Sequence, residues 1–331
     1  MRYVLFKYFG RPILAVPLDS GFAVLLAGFL VFPAFTLKRK IFKYGALILA
    51  VICWVGRLAG LPIGTVLDRT EITVLSRIKL LCPQMEVAIP IWSLVLGRDR
   101  MYFRLFDAQA NQCGFVKFSW SEPGRSWLEV EAKALQSHVN AKNFTCPKVI
   151  ALEKTEEGVL LLTSVLPSMC TLLHAEKSFF PYDIYDEIQS QRFEVPFMTL
   201  RMLAWYQNGM TSLIKNTQAT SELCAMDDDA SITLAPAHGD FGSENFFVDP
   251  MKRIFLIDWE HYSKAAPVAT DAVSFWIGQH HRAIQRGQPK IAKDFVLSFK
   301  SYTKTDLLLA LVYLTAFEVT DAKKLVTLWK N

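Results

Sequence analysis

Two carboxylates and an amide at fixed offsets, each at the edge of a short apolar run, are the part of this sequence best equipped for chemistry. They lie in Ala237–Glu260, AHGDFGSENFFVDPMKRIFLIDWE. Asp240 closes His238-Gly239-Asp240, and Asn245 follows five residues later. Phe246-Phe247-Val248 reads as a short buried strand and Asp249-Pro250-Met251-Lys252 as its turn. Ile254–Ile257 reads as a second strand, ending on Asp258-Trp259-Glu260. Such a hairpin brings Asp240, Asn245 and Asp258 to one end of two rigid strands. Hard oxygen donors held this way suit magnesium, which takes one or two carboxylates plus phosphate oxygens and keeps several waters. Phosphoryl transfer asks little more of a protein than an orienting base, charge neutralisation and positioning.

The pattern H-G-D-x-x-x-x-N followed by I-D-W-E resembles the aminoglycoside phosphotransferase and choline kinase superfamily, small-molecule kinases with a protein-kinase-like fold. The resemblance covers residues about 91–275. It implies that Asp240 is the catalytic base and that Asn245 and Asp258 hold Mg2+. It also implies that His238 braces the catalytic loop, and that Asp271, after Pro267, braces it too. Asp271 also suits a plain helix N-cap. Glu260 reads equally as a support or substrate contact and as a surface carboxylate.

Charged groups in apolar surroundings supply the second constellation. Lys117 sits in Phe115-Val116-Lys117-Phe118, a strand pattern in which a buried ammonium is costly unless an anion faces it. A helix is predicted over about 125–139, with Leu128, Ala132, Leu135 and Val139 on its apolar face. At about 100° per residue, Glu131 lies about 60° from Leu128, beside that face, and Glu129 lies on the other flank. Glu131 is therefore the better partner for Lys117. The resemblance assigns the pair to nucleotide phosphates.

Other nucleotide contacts are less marked. Gly97-Arg98-Asp99-Arg100 reads as a turn between strands at 92–97 and 101–106, serving either as a bare hairpin turn or as a phosphate loop around Gly97. Strands are also expected at 146–150 and 158–166. By the resemblance, the main chain of Ser164, Val165 and Leu166 meets the nucleotide base.

Length and composition set the frame. The 331 residues allow a substantial core, and the net charge of +5 is too small and dispersed to argue for a nucleic-acid partner. Six scattered cysteines without a C-x-x-C pair read as reduced thiols. Residues 1–90 are strongly apolar. Gly21–Phe35 is short for a bilayer span, and the run Tyr44–Leu67 contains Arg57 and is broken by Gly60, Pro62 and Gly64. A two-span hairpin puts Lys38-Arg39-Lys40-Ile41-Phe42-Lys43 on the outer side, against the positive-inside rule. The remaining readings are buried or peripheral helices, a single span at 21–37, or a secretory signal that lacks a convincing cleavage site, and peripheral or single-span membrane contact is assigned to residues 13–67.

Beyond Pro167 helical periodicity prevails. Met198, Met202, Tyr206, Met210 and Leu213 predict one helix over 196–214, and a terminal helix is expected over 306–317. Asp227-Asp228-Asp229 reads as a solvated loop, and His280 and His281 as a poor metal pair.

The fold class expected is α+β: a bilobal protein-kinase-like fold with a small antiparallel-sheet N-lobe at 91–166 and a mainly helical C-lobe at 167–331. An apolar helical extension at 1–90 precedes them. The activity expected is transfer of the γ-phosphoryl group of ATP, with Mg2+, to a hydroxyl of a small molecule, sugar or glycan precursor, in the cytoplasm or at the inner face of the plasma membrane. The rivals are a catalytically silent scaffold of the same fold and a membrane-attached kinase of a lipid-linked substrate.

Overall fold

The computed structural model describes residues 2–8, 11–23, 26, 37–61, 64, 67, 69–93, 99–167, 169–173, 180–213, 218–288 and 290–328. The chain divides into two compact units, Met1–Ala132 with Pro147–Leu166, and Lys133–Cys146 with Pro167–Asn331. Antiparallel sheet dominates the first and helix the second, the α+β class expected.

The first unit is built on a seven-stranded antiparallel sheet of order β1-β2-β3-β4-β5-β7-β6. Its strands are β1 (Tyr3–Tyr8), β2 (Arg11–Pro17), β3 (Val87–Trp92), β4 (Arg100–Phe106), β5 (Gln112–Ser119), β6 (Val149–Lys154) and β7 (Val159–Thr163). Side-chain alternation sorts its residues onto two faces. On one face helix α1 (Leu37–Leu58) packs Ala46 and Ala50 against Leu14, Val16, Val87, Ile89 and Phe106. On the same face α3 (Gly124–Ser137) lays Leu128 and Ala132 over Val159 and Leu161. The other face is covered by α2 (Arg69–Leu81), whose Val74 and Ile78 meet Phe103, Leu105, Val116 and Leu162.

Within residues 1–90, α1 and α2 are helices as expected, and the helical reading is corrected at β1 and β2. β1 and β2 form a strand pair that joins the sheet where Leu14 opposes Ile91. The sheet supplies β1 and β2 with hydrogen-bond partners, so these two segments bury their apolar side chains as strands. β3 begins at Val87, ahead of the expected boundary. Among the described residues no helix is long and apolar enough to cross a membrane. Gly97 lies outside the described residues, as does most of the expected strand at 92–97.

The second unit holds two three-stranded sheets, β13-β10-β9 and β12-β11-β8. The first comprises β9 (Phe193–Pro196), β10 (Ser231–Ala237) and β13 (Ser263–Pro267); the second comprises β8 (Thr171–Leu172), β11 (Phe246–Val248) and β12 (Ile254–Leu256). Its helices are α4 (Tyr182–Ile188), α5 (Phe197–Arg201), α6 (Ala204–Leu213), α7 (Gln218–Cys224), α8 (Thr270–Gln285), α9 (Ile291–Ser298), α10 (Lys304–Ala316) and α11 (Thr320–Leu328). α10 starts on a capping box between Thr303 and Asp306 and is buried from Leu307 to Thr315, which makes it the centre of the core.

The single helix expected over 196–214 is two. Pro196 still belongs to β9, and α5 ends at Arg201 before α6 restarts at Ala204. The break changes the helical phase, so Tyr206, Met210 and Leu213 are buried while Met198 and Met202 face solvent. In the acidic loop Asp228 pairs with Arg201 at 2.8 Å.

Candidate active site

The candidate stretch begins where β10 runs into His238-Gly239-Asp240. Gly239 has φ +85°, and a Cβ there would sit 2.2 Å from the carbonyl oxygen of His261. Only glycine allows that approach. The preceding loop atoms are held by two side chains. Asp271, in the first turn of α8, accepts hydrogen bonds from the main-chain N–H of His238 at 2.8 Å and Gly239 at 2.9 Å. Burial pushes its carboxyl up to about 7, against the pull of those two donors. The N-cap of α8 is Ala269, so the expected cap role of Asp271 gives way to the bracing contact.

His238 ties the same loop to the second strand of the hairpin. Its Nε2 donates to the Ile257 carbonyl at 2.9 Å, and its Nδ1 accepts from the Asp240 N–H at 3.3 Å. Those two bonds fix a neutral tautomer. Full burial agrees, lowering the imidazole pKa to about 4.

The hairpin itself forms as expected. β11 and β12 pair in register, Phe246 with Leu256 and Val248 with Ile254. Asp249 closes the turn by accepting from the N–H groups of Met251 and Arg253, both at 2.9 Å. At its far end the Ile257 N–H donates to the Asn245 carbonyl at 3.1 Å, which sets Asp258 beside Asn245 along the chain path. Asp258 adopts a left-handed conformation, φ 66°, uncommon for a non-glycine residue and a mark of a constrained position.

Asn245 is buried, and its Nδ2 donates to the Asp240 carbonyl at 2.8 Å and to Asp240 Oδ2 at 3.3 Å. With the amide nitrogen occupied, its Oδ1 is the hard oxygen it can offer to a cation. Asp240 is partly buried, and its carboxyl is pushed up to about 7 by burial and then by the negative charges of Asp258, Glu244 and Glu260. Glu260 is buried, 3.7 Å from the ring of His261, which removes the surface-carboxylate reading.

Trp259 is the residue that sequence reasoning passed over. It is fully buried, donates from Nε1 to the Leu256 carbonyl at 3.2 Å, and meets the rings of His138 at 4.4 Å and His238 at 4.5 Å. Its position directly after Asp258 in a strand-ending motif was the available signal.

In the first unit Lys117 opposes Tyr102 and Leu161 in the ladder, and so points to the face that α3 covers. Its Nζ lies 2.8 Å from both carboxylate oxygens of Glu131, with both side chains buried. Glu129 pairs instead with Lys154 at 2.7 Å. Ser164 is already engaged: its N–H donates to the Lys148 carbonyl at 2.8 Å and its Oγ accepts from the Lys148 N–H at 2.9 Å.

No protein-family model and no curated protein matches the chain. Solved structures similar to it include an aminoglycoside phosphotransferase from Streptomyces rimosus, 14% identical, with TM-score 0.44 over 76% of this chain and 98% of that one. An aminoglycoside-3'-phosphotransferase of type VIII is 14% identical, with TM-score 0.46 over 76% of this chain and 100% of that one. The aminoglycoside 2'-phosphotransferase-IIIa in its GDP complex is 13% identical, with TM-score 0.46 over 76% and 90%. These similarities are remote in both sequence and superposition.

Proposed function

We propose that this chain is an ATP-dependent phosphotransferase that moves the γ-phosphoryl group to a hydroxyl of a small molecule, sugar or glycan precursor. The observation that carries the reading is the Asp240–Asn245 pair. One buried amide clamps the main chain and carboxylate of the aspartate and keeps its own oxygen for a cation.

Asp240 accepts the proton of the acceptor hydroxyl as attack begins, a role suited to a carboxyl held near neutrality. His238 accepts from its main-chain N–H, and Asp271 holds the main chain of the two residues before it. Lys117 binds nucleotide phosphate oxygens, oriented by Glu131. Asn245 and Asp258 would hold Mg2+, and the donor set fits it: two hard oxygens belong to a group in which burial, and then the charges of Asp258, Glu244 and Glu260, raise Asp240. When bound, the ion neutralises phosphate charge.

The test is label transfer from γ-phosphate-labelled ATP to a pool of sugars and glycan precursors, read by mass spectrometry. The wild type should label an acceptor and Asp240→Asn should not. Equal labelling by the two proteins would remove Asp240 from the reaction.

A further inference from the structure

Helix α1 is apolar on both sides, yet only one side is covered by the sheet. Ala46 and Ala50 are buried, while Trp54 donates from Nε1 to the Ser20 carbonyl at 3.0 Å and Arg57 pairs with Asp19 at 3.2 Å. Those contacts fix which way the helix faces. On the opposite side Tyr44, Ile48, Leu49, Ile52, Val55 and Leu58 are 47–68% exposed. At about 1.5 Å per residue they form a stripe about 21 Å long. A contiguous apolar patch of this kind marks an interaction surface.

Charge identifies the partner. Residues 20–67 contain Lys38, Arg39, Lys40, Lys43 and Arg57 and no aspartate or glutamate. Four of those cations fall in the first two turns of α1, immediately before the stripe. Lys43 belongs instead to the sheet side, half-buried in the field of Arg104, and burial lowers the pKa of both. Like charges gathered at one end of an apolar stripe suit a surface that offers an apolar layer and anions side by side.

We propose that the exposed face of α1 lies in the interface of an anionic lipid bilayer. The six side chains enter the acyl boundary, and the basic start of the helix, Lys38-Arg39-Lys40, lies at the level of the lipid phosphates. This stands independently of the phosphotransfer reading, because none of these residues belongs to that machinery.

The test is co-sedimentation of the full chain with phosphatidylcholine vesicles, with and without phosphatidylglycerol, at low and high salt. The wild type should bind the anionic vesicles and release them as salt rises. Ile48→Asp/Ile52→Asp should weaken that binding at least about tenfold. Lys38→Gln/Arg39→Gln/Lys40→Gln should weaken it about a hundredfold on anionic vesicles. Thermal melting should be unchanged in the first variant, whose altered side chains are exposed. Three results would overturn the proposal: no preference for anionic vesicles, undiminished binding by the Ile48/Ile52 variant, or a wild-type dimer that this variant dissolves and that does not bind vesicles.

Discussion

The hairpin that carries Asn245 and Asp258 and the first ninety residues fold by opposite logic. In the hairpin polar groups find partners close in sequence: Asn245 meets Asp240, and Asp249 meets Met251 and Arg253. In the first ninety residues the decisive contacts are apolar and remote, as where Leu14 of β2 opposes Ile91 of β3. Short-range polar spacing can be read as chemistry because donor and acceptor geometry restricts it. A run of Val, Leu and Ile can satisfy its backbone as helix or strand, and only its distant partner decides which.

That contrast can be broken by substitution. The largest effect belongs to the hairpin: Asp240→Asn should lower phosphotransfer by about 10²–10⁴-fold, the range for a general base, while leaving the melting temperature nearly unchanged. A variant that unfolded instead would mean that Asp240 serves the fold. In the first ninety residues the order is reversed. Leu14→Ala, at a side chain 3% exposed in the sheet core, should cost about 2–5 kcal/mol by urea unfolding. An appended helical arm would tolerate the same change at little cost.

His238 gives the comparison a pH dependence. Its folded pKa of about 4 lies below the ordinary value of 6.5, so the unfolded chain binds the proton more readily between those limits. The stability that the neutral imidazole provides is therefore complete above pH 6.5 and is lost as pH falls toward 4. The penalty of His238→Gln relative to wild type should be greatest near pH 8 and shrink by up to about 3 kcal/mol by pH 4, read from paired urea titrations. The smallest effect is expected on the outer face of α1, where Ile52→Ser should change stability by less than about 0.5 kcal/mol.

The legible parts of the fold and site are those governed by offset and phase. Helical phase alone separated Glu131 from Glu129, and the two glutamates take the separate partners Lys117 and Lys154. The turn residues between Phe246 and Ile257 marked the hairpin. Tertiary context decided the rest. Nothing local announces that α5 stops at Arg201, since the methionine spacing continues through the break. Asp271 suited a cap equally well until the main chain of His238 and Gly239 was brought onto its carboxylate. Trp259 acquires its role from His138, which arrives from the other side of a long stretch of chain.

Magnesium-dependent ATP binding, measured by calorimetry on the wild type, Lys117→Ala and Asp258→Ala, tests the central claim most directly. The account predicts binding by the wild type that needs magnesium. Lys117→Ala should weaken it at any magnesium concentration, and Asp258→Ala should weaken it chiefly by removing the magnesium dependence. A folded wild-type protein that binds no ATP with magnesium present would contradict the account and leave a scaffold in its place.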